Sequence, residues 1–142
     1  MLKAFVQKGR YEAGCDEAGR GCLAGPVFAA AVILPENYRN TWLNDSKQIK
    51  ESLRKSLREE IESSALAWAV ASCSPEEIDQ LNILNASIEA MHRALRQLSP
   101  EPEYILVDGN RFKPFGKVPF DTYVKGDGRF LSIAAASILA KT

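Results

Sequence analysis

The chain has 142 residues, 46% hydrophobic and 25% charged, with 18 basic and 18 acidic side chains that cancel to a formal net charge of zero. That length supports one well-buried domain and is short for two. The balanced charge argues against coating of nucleic acid by bulk electrostatics but leaves room for a local basic groove.

No apolar run reaches the ~18 residues of a membrane span. Met1–Val6 is too short and mixed for a signal peptide, so a cytoplasmic protein working without a membrane is expected. Cys15, Cys22 and Cys73 form no Cys-x-x-Cys pair, and the chain has one histidine, His92. A structural zinc site lacks ligands in that set, and reduced thiols packed as small hydrophobes are expected.

In chain order, Tyr11–Cys15 and Pro26–Leu34 read as strands on either side of a glycine-rich segment. The second is apolar throughout, as in a strand covered on both faces, although its pattern alone also admits a helix. Ile49, Leu53, Leu57 and Ile61 recur every four residues among charges, the spacing of an amphipathic helix. Ala65–Cys73 reads as a third strand. Ser74-Pro75-Glu76-Glu77 has the form of a capping box with proline in the first turn. Leu84, Ile88, Met91, Leu95 and Leu98 then continue a helix to Ser99, stopped by Pro100. Tyr104–Val107 and Val118–Val124 read as further strands, and Leu131–Lys141 as a last helix. That helix meets no Gly or Asn stop before Thr142, so an element cut at or near its end is expected. Strands first, then helices interleaved with strands, predict one α/β layered domain with a mixed sheet over residues 1–142.

The chemistry lies in acids at strand ends. Asp16-Glu17 follows the first strand, and Asp108 ends Tyr104–Val107. Alone, either acid of the first pair reads as a turn residue; a second strand ending the same way favours a shared site. Asp127, in Lys125-Gly126-Asp127-Gly128, is a fourth candidate, with a helix N-cap as its alternative. Converging carboxylates repel unless a divalent cation neutralises them. Oxygen-only ligands suit Mg²⁺ or Mn²⁺, and two such ions ~4 Å apart can activate water and stabilise a leaving oxygen. A Ser-His-Asp or Cys-His device would need His92, which reads as a helix flank residue. Gly19-Arg20-Gly21 allows close backbone approach to a ligand beside an arginine donor, or forms a tight turn with a surface arginine. Lys47, in Asn44-Asp45-Ser46-Lys47, together with Lys125 and Arg129, could contact phosphates, although isolated basic residues are more often solvated surface.

Together, the segments Cys15–Val27, Asn44–Lys47, Leu106–Gly109, Val124–Asp127 and Ala134–Lys141, in that order, closely resemble bacterial ribonuclease HII. The resemblance covers nearly the whole chain. It implies an RNase H-like α/β fold, a mixed five-stranded sheet flanked by helices. It implies endonucleolytic hydrolysis of the RNA strand of RNA–DNA hybrids, and of single ribonucleotides in duplex DNA, with one or two Mn²⁺ or Mg²⁺ ions. The metal-binding and catalytic set would be Asp16, Glu17, Asp108 and Asp127. Gly19, Arg20 and Gly21 would contact the ribose 2′-hydroxyl, the group that distinguishes RNA from DNA at one nucleotide. Lys47, Lys125 and Arg129 would add substrate contacts, and a monomer is expected. The family continues past the Ala-Ala-Ser helix into further helices and a Gly-Tyr motif, so the catalytic domain is expected to be C-terminally incomplete. Two alternatives stay open: another nuclease of this fold, such as a resolvase, or a fragment that binds metal or hybrid without turnover.

Overall fold

In the computed structural model, residues 2–19, 25–43 and 49–142 are described. The elements run β1 (Glu12–Ala18), β2 (Val27–Ile33), α1 (Glu51–Ser64), β3 (Ala67–Cys73), α2 (Pro75–Leu81), α3 (Ile83–Arg96), β4 (Tyr104–Asp108), β5 (Phe120–Tyr123), a 3₁₀ turn (Gly126–Gly128) and α4 (Leu131–Lys141). The sheet has five strands in the order β3-β2-β1-β4-β5. The first three form an antiparallel meander, and β4 and β5 add to β1 in parallel. The expected mixed sheet is the one found.

Strand alternation sorts the core into two layers. Ala13, Cys15, Ala29, Ala31, Ile105 and Val107 face α3, which supplies Met91, Ala94 and Leu95. On the other face Ala30 and Val32 meet α4, backed by Leu57 and Ile61 of α1. Small residues let α4 lie very close to the sheet. At Gly14 a Cβ would stand 2.3 Å from the Ser132 carbonyl carbon and 2.5 Å from the Ile133 nitrogen. Only glycine fits where this helix crosses β1. Cys15 and Cys73 are buried and unpaired with each other, as expected of packed thiols; Cys22 lies outside the described residues.

Four elements differ from the sequence reading by more than one residue. β1 continues through Asp16-Glu17 to Ala18, because β2 goes on pairing with it as far as Ala18↔Phe28. β3 starts two residues late: the Ala65 N–H closes α1 on the Ile61 carbonyl, and Leu66 bonds the end of β2. The single helix expected over 74–99 is two helices. Asn82 adopts φ 65° between them and caps α3, its side chain accepting from the Asn85 N–H at 3.0 Å. The capping box at Ser74 and Glu77 does form, at the head of α2. β5 covers only Phe120–Tyr123, since Val118 turns back to bridge Phe115.

Candidate active site

Three segments converge on the α4 side of the sheet. β1 and β4 run parallel, and their last register pair is Cys15↔Val107. The next residues are Asp16 and Asp108. Alternation puts both on the face of Gly14 and Leu106, toward α4. Asp16 is 4% exposed, and its carboxyl is in hydrogen-bond contact with that of Asp108. Burial chiefly, then the Asp108 charge and this hydrogen bond, with a smaller contribution from Glu17, push the Asp16 carboxyl up to about 8; the Glu17 N–H, donating to Asp16 Oδ1 at 2.8 Å, pulls the other way. A carboxyl that keeps its proton at neutrality beside a second carboxyl marks a place built for positive charge.

The third segment is the turn before α4. The Gly126 N–H donates to Asp108 Oδ1 at 2.7 Å and fixes that carboxylate. A Cβ on Gly126 would stand 2.6 Å from Ile133 Cδ1 and 3.3 Å from Asp108 Oδ1, so glycine keeps the turn close. Asp127 follows, buried at 7% exposure. It is not the N-cap of α4. That position is Phe130, which makes no side-chain cap.

Asp16 and Asp108 are therefore in contact, with Asp127 one residue from the group that holds Asp108. Glu17 is adjacent in sequence, but alternation starts its side chain on the opposite face from Asp16, and its influence there is Coulombic. Among the described residues no three His, Cys, Asp or Glu side chains close into a ready metal cage. The contacting pair fits a hard divalent cation: its donors are all oxygen, and a cation would take over the role of the Asp16 proton.

The substrate candidates divide. Gly19 has φ 102°, a left-handed backbone, and a Cβ there would lie 2.8 Å from the Pro26 carbonyl oxygen. Glycine is required at that turn. Arg20, Gly21 and Lys47 lie outside the described residues. Lys125 is exposed in a left-handed conformation (φ 55°) immediately before Gly126. Arg129 is exposed, with its guanidinium 4.9 Å from the Tyr123 ring centre.

The sequence reading missed Gly126, Tyr104, Asp121 and Tyr123. The Tyr104 hydroxyl donates to Asp121 Oδ2 at 2.6 Å and lies 2.7 Å from the Tyr123 hydroxyl. Only the parallel β4–β5 pairing brings these three together, so no local motif announces them. His92 is a structural anchor: its Nε2 lies 2.9 Å from the Lys113 carbonyl, and its ring meets Phe112 and Phe115 edge-on.

The model of the family described as ribonuclease HII matches residues 13–142. The ribonuclease HII of Parabacteroides distasonis is 65% identical over 142 residues, all of this chain and 71% of that protein. Among solved structures, the ribonuclease H2 of Pyrococcus horikoshii superposes with a TM-score of 0.81 at 28% identity, over 92% of this chain and 70% of that one. The Bst-RNase HIII complex with Mn²⁺ shares the fold, with a TM-score of 0.70 at 20% identity over 93% of this chain and 51% of that one. No helix among the described residues is long and apolar enough to cross a membrane. A family match over nearly the whole chain, with aspartates of β1 and β4 in contact, places this chain in the ribonuclease HII family, the ribonuclease H endonucleases that degrade RNA in RNA–DNA hybrids.

Proposed function

We propose that this chain hydrolyses the RNA strand of RNA–DNA hybrids, and the phosphodiester at a single ribonucleotide in duplex DNA, with Mg²⁺ or Mn²⁺ held by Asp16 and Asp108 and flanked by Glu17 and Asp127. The observation that carries this reading is the contact between the Asp16 and Asp108 carboxyls on parallel neighbouring strands. A bound divalent cation would lower the pKa of water and offset charge developing on the phosphate. The protein's own contribution is placement. Gly126 fixes Asp108 through its N–H, and Gly19, Arg20 and Gly21 are assigned to the ribose 2′-hydroxyl. Lys47, Lys125 and Arg129 take phosphates. Attack by water forms a new P–O bond as the bond to the leaving ribose oxygen breaks. A monomer is the working state assigned here. We place its work in the cytoplasm, with bacterial DNA.

The test is cleavage of a duplex carrying one ribonucleotide, with Mg²⁺ or Mn²⁺, read on a denaturing gel. A cut at the ribonucleotide and none in all-DNA duplex is expected. Asp108→Asn should slow it roughly 100-fold or more, the equivalent of several kcal/mol of transition-state stabilisation. Equal cutting of all-DNA duplex would overturn the ribose specificity, and unchanged cleavage by Asp108→Asn would remove that acid from the site. Hybrid binding without cleavage at any metal concentration would favour a non-catalytic binder.

A further inference from the structure

Tyr123 occupies an unusual position for a residue with no role in the reading above. Its Cα pairs with that of Asp108, and its carbonyl accepts the Gly109 N–H at 3.0 Å. Its hydroxyl is held by Tyr104, which in turn donates to Asp121. Its ring lies against Phe130, centres 4.7 Å apart. The Arg129 guanidinium is 4.9 Å from the Tyr123 centre and 5.8 Å from that of Phe130. The arginine backbone is pinned on both sides: its N–H donates to the Gly126 carbonyl and its carbonyl accepts the Lys3 N–H, each at 2.9 Å.

Arg129 is exposed, and among the described residues no carboxylate pairs with it. A surface arginine normally samples many rotamers, and ordering them costs free energy on binding. Stacking on an aromatic face restricts the guanidinium while leaving its N–H fork open for an anion. The fork lies over the ring of Tyr123, whose Cα pairs with that of Asp108, and Arg129 is two residues past Asp127. Its natural anion there is a backbone phosphate of the duplex, held next to the scissile region.

We propose that Tyr123 is a positioning residue for the substrate: packed at a tilt against Phe130, its ring face holds the Arg129 guanidinium ready to clamp one backbone phosphate. This inference rests on the duplex-binding reading above. It adds a residue contributing only through Arg129, and a contact indifferent to the sugar.

The experiment is hybrid binding across a salt series, with the chelated full chain so that no turnover occurs, alongside all-DNA duplex. One phosphate contact contributes about 0.9 to the slope of log affinity against log salt on B-form duplex. Arg129→Ala should therefore flatten the slope by about one. Its affinity deficit should shrink about threefold between 50 and 200 mM salt, equally for hybrid and all-DNA duplex. Arg129→Lys keeps the charge and should keep the slope while losing affinity. Tyr123→Leu should weaken binding in the wild-type background and have no effect on top of Arg129→Ala, whereas Tyr123→Phe should stay near wild type because its ring face remains. An unchanged slope in Arg129→Ala overturns the clamp. Losses from Tyr123→Leu and Arg129→Ala that simply multiply, with matched melting temperatures, overturn the positioning role. If Tyr123→Leu does not fold, the comparison of Arg129→Lys with Arg129→Ala decides the clamp, and Tyr123→Phe with the ring retained decides the positioning: a loss there as large as for Arg129→Ala overturns it. Wild-type protein that binds no duplex removes the functional reading as well.

Discussion

Asp16 and Asp108, 92 positions apart in the sequence, stand one step beyond the last β1–β4 register pair with their carboxyls in hydrogen-bond contact. Two carboxyls that close cannot both ionise cheaply, least of all when one is buried. Asp16 therefore keeps its proton until something else supplies positive charge. Much of the site's behaviour follows from that competition.

The first consequence is a pH dependence of stability. The folded Asp16 carboxyl titrates near 8, against 3.8 for an ordinary aspartate. Between those values the native chain holds a proton that the unfolded chain has released, so stability falls as pH rises. Its contribution is fully present below pH ~4 and is lost progressively up to pH ~8, at no more than about 1.4 kcal/mol per pH unit. Urea unfolding in chelator at pH 5, 6, 7 and 8 should show this decline. Asp16→Asn, which cannot ionise, should flatten it and be the more stable protein at pH 8. Parallel curves for the two proteins would contradict the proton retained on Asp16.

Cations should act in the opposite sense. Binding of Mg²⁺ or Mn²⁺ to the folded pair alone stabilises by mass action, about 2.7 kcal/mol when the ion is at 100 times its dissociation constant. Because the ion displaces a proton, the gain should be larger at pH 8 than at pH 6. Calorimetric scans with and without the ion measure it. The Asp16→Asn, Asp108→Asn double variant should lose the shift; retention of the full shift would locate the ion elsewhere.

Gly14 offers a test of the scaffold itself. A methyl group there meets backbone atoms of Ser132 and Ile133, which cannot swing aside as a side chain would. Gly14→Ala should cost about 3 kcal/mol or more, at the severe end for an added methyl group. It should also impair cleavage, since α4 carries the Asp127 turn at its head. A melting point within a degree or two of wild type would show that the helix can retreat.

The fold was legible wherever periodicity was strong. Ile49, Leu53, Leu57 and Ile61 mark α1, and Leu131–Lys141 is the last helix with both bounds as expected. The break at Asn82 was hidden because apolar spacing continues across it, while a single left-handed residue and its cap decide the geometry. In the site, the acids were visible as strand-end carboxylates, and His92 as a residue outside the chemistry. Its anchoring of Lys113 was not, because that bond joins α3 to a loop far along the chain. The Tyr104–Asp121–Tyr123 group was invisible for the same reason: none of its members is within hydrogen-bonding range through local chain geometry. The close passage of α4 over Gly14 had only one trace in the sequence, a glycine inside a strand.

The strand order carries a last consequence, for the timing of assembly. β1, β2 and β3 pair with the strands next to them in chain order, so that half of the sheet closes through smaller loops. β4 reaches β1 only by closing a loop of some ninety residues, a slow and entropically costly step. A nascent or partly folded chain that has built only the meander owns Asp16 and Glu17 but has no Asp108 beside them. On the proposed reading, an intermediate that lacks the β1–β4 pairing lacks the acid pair as well.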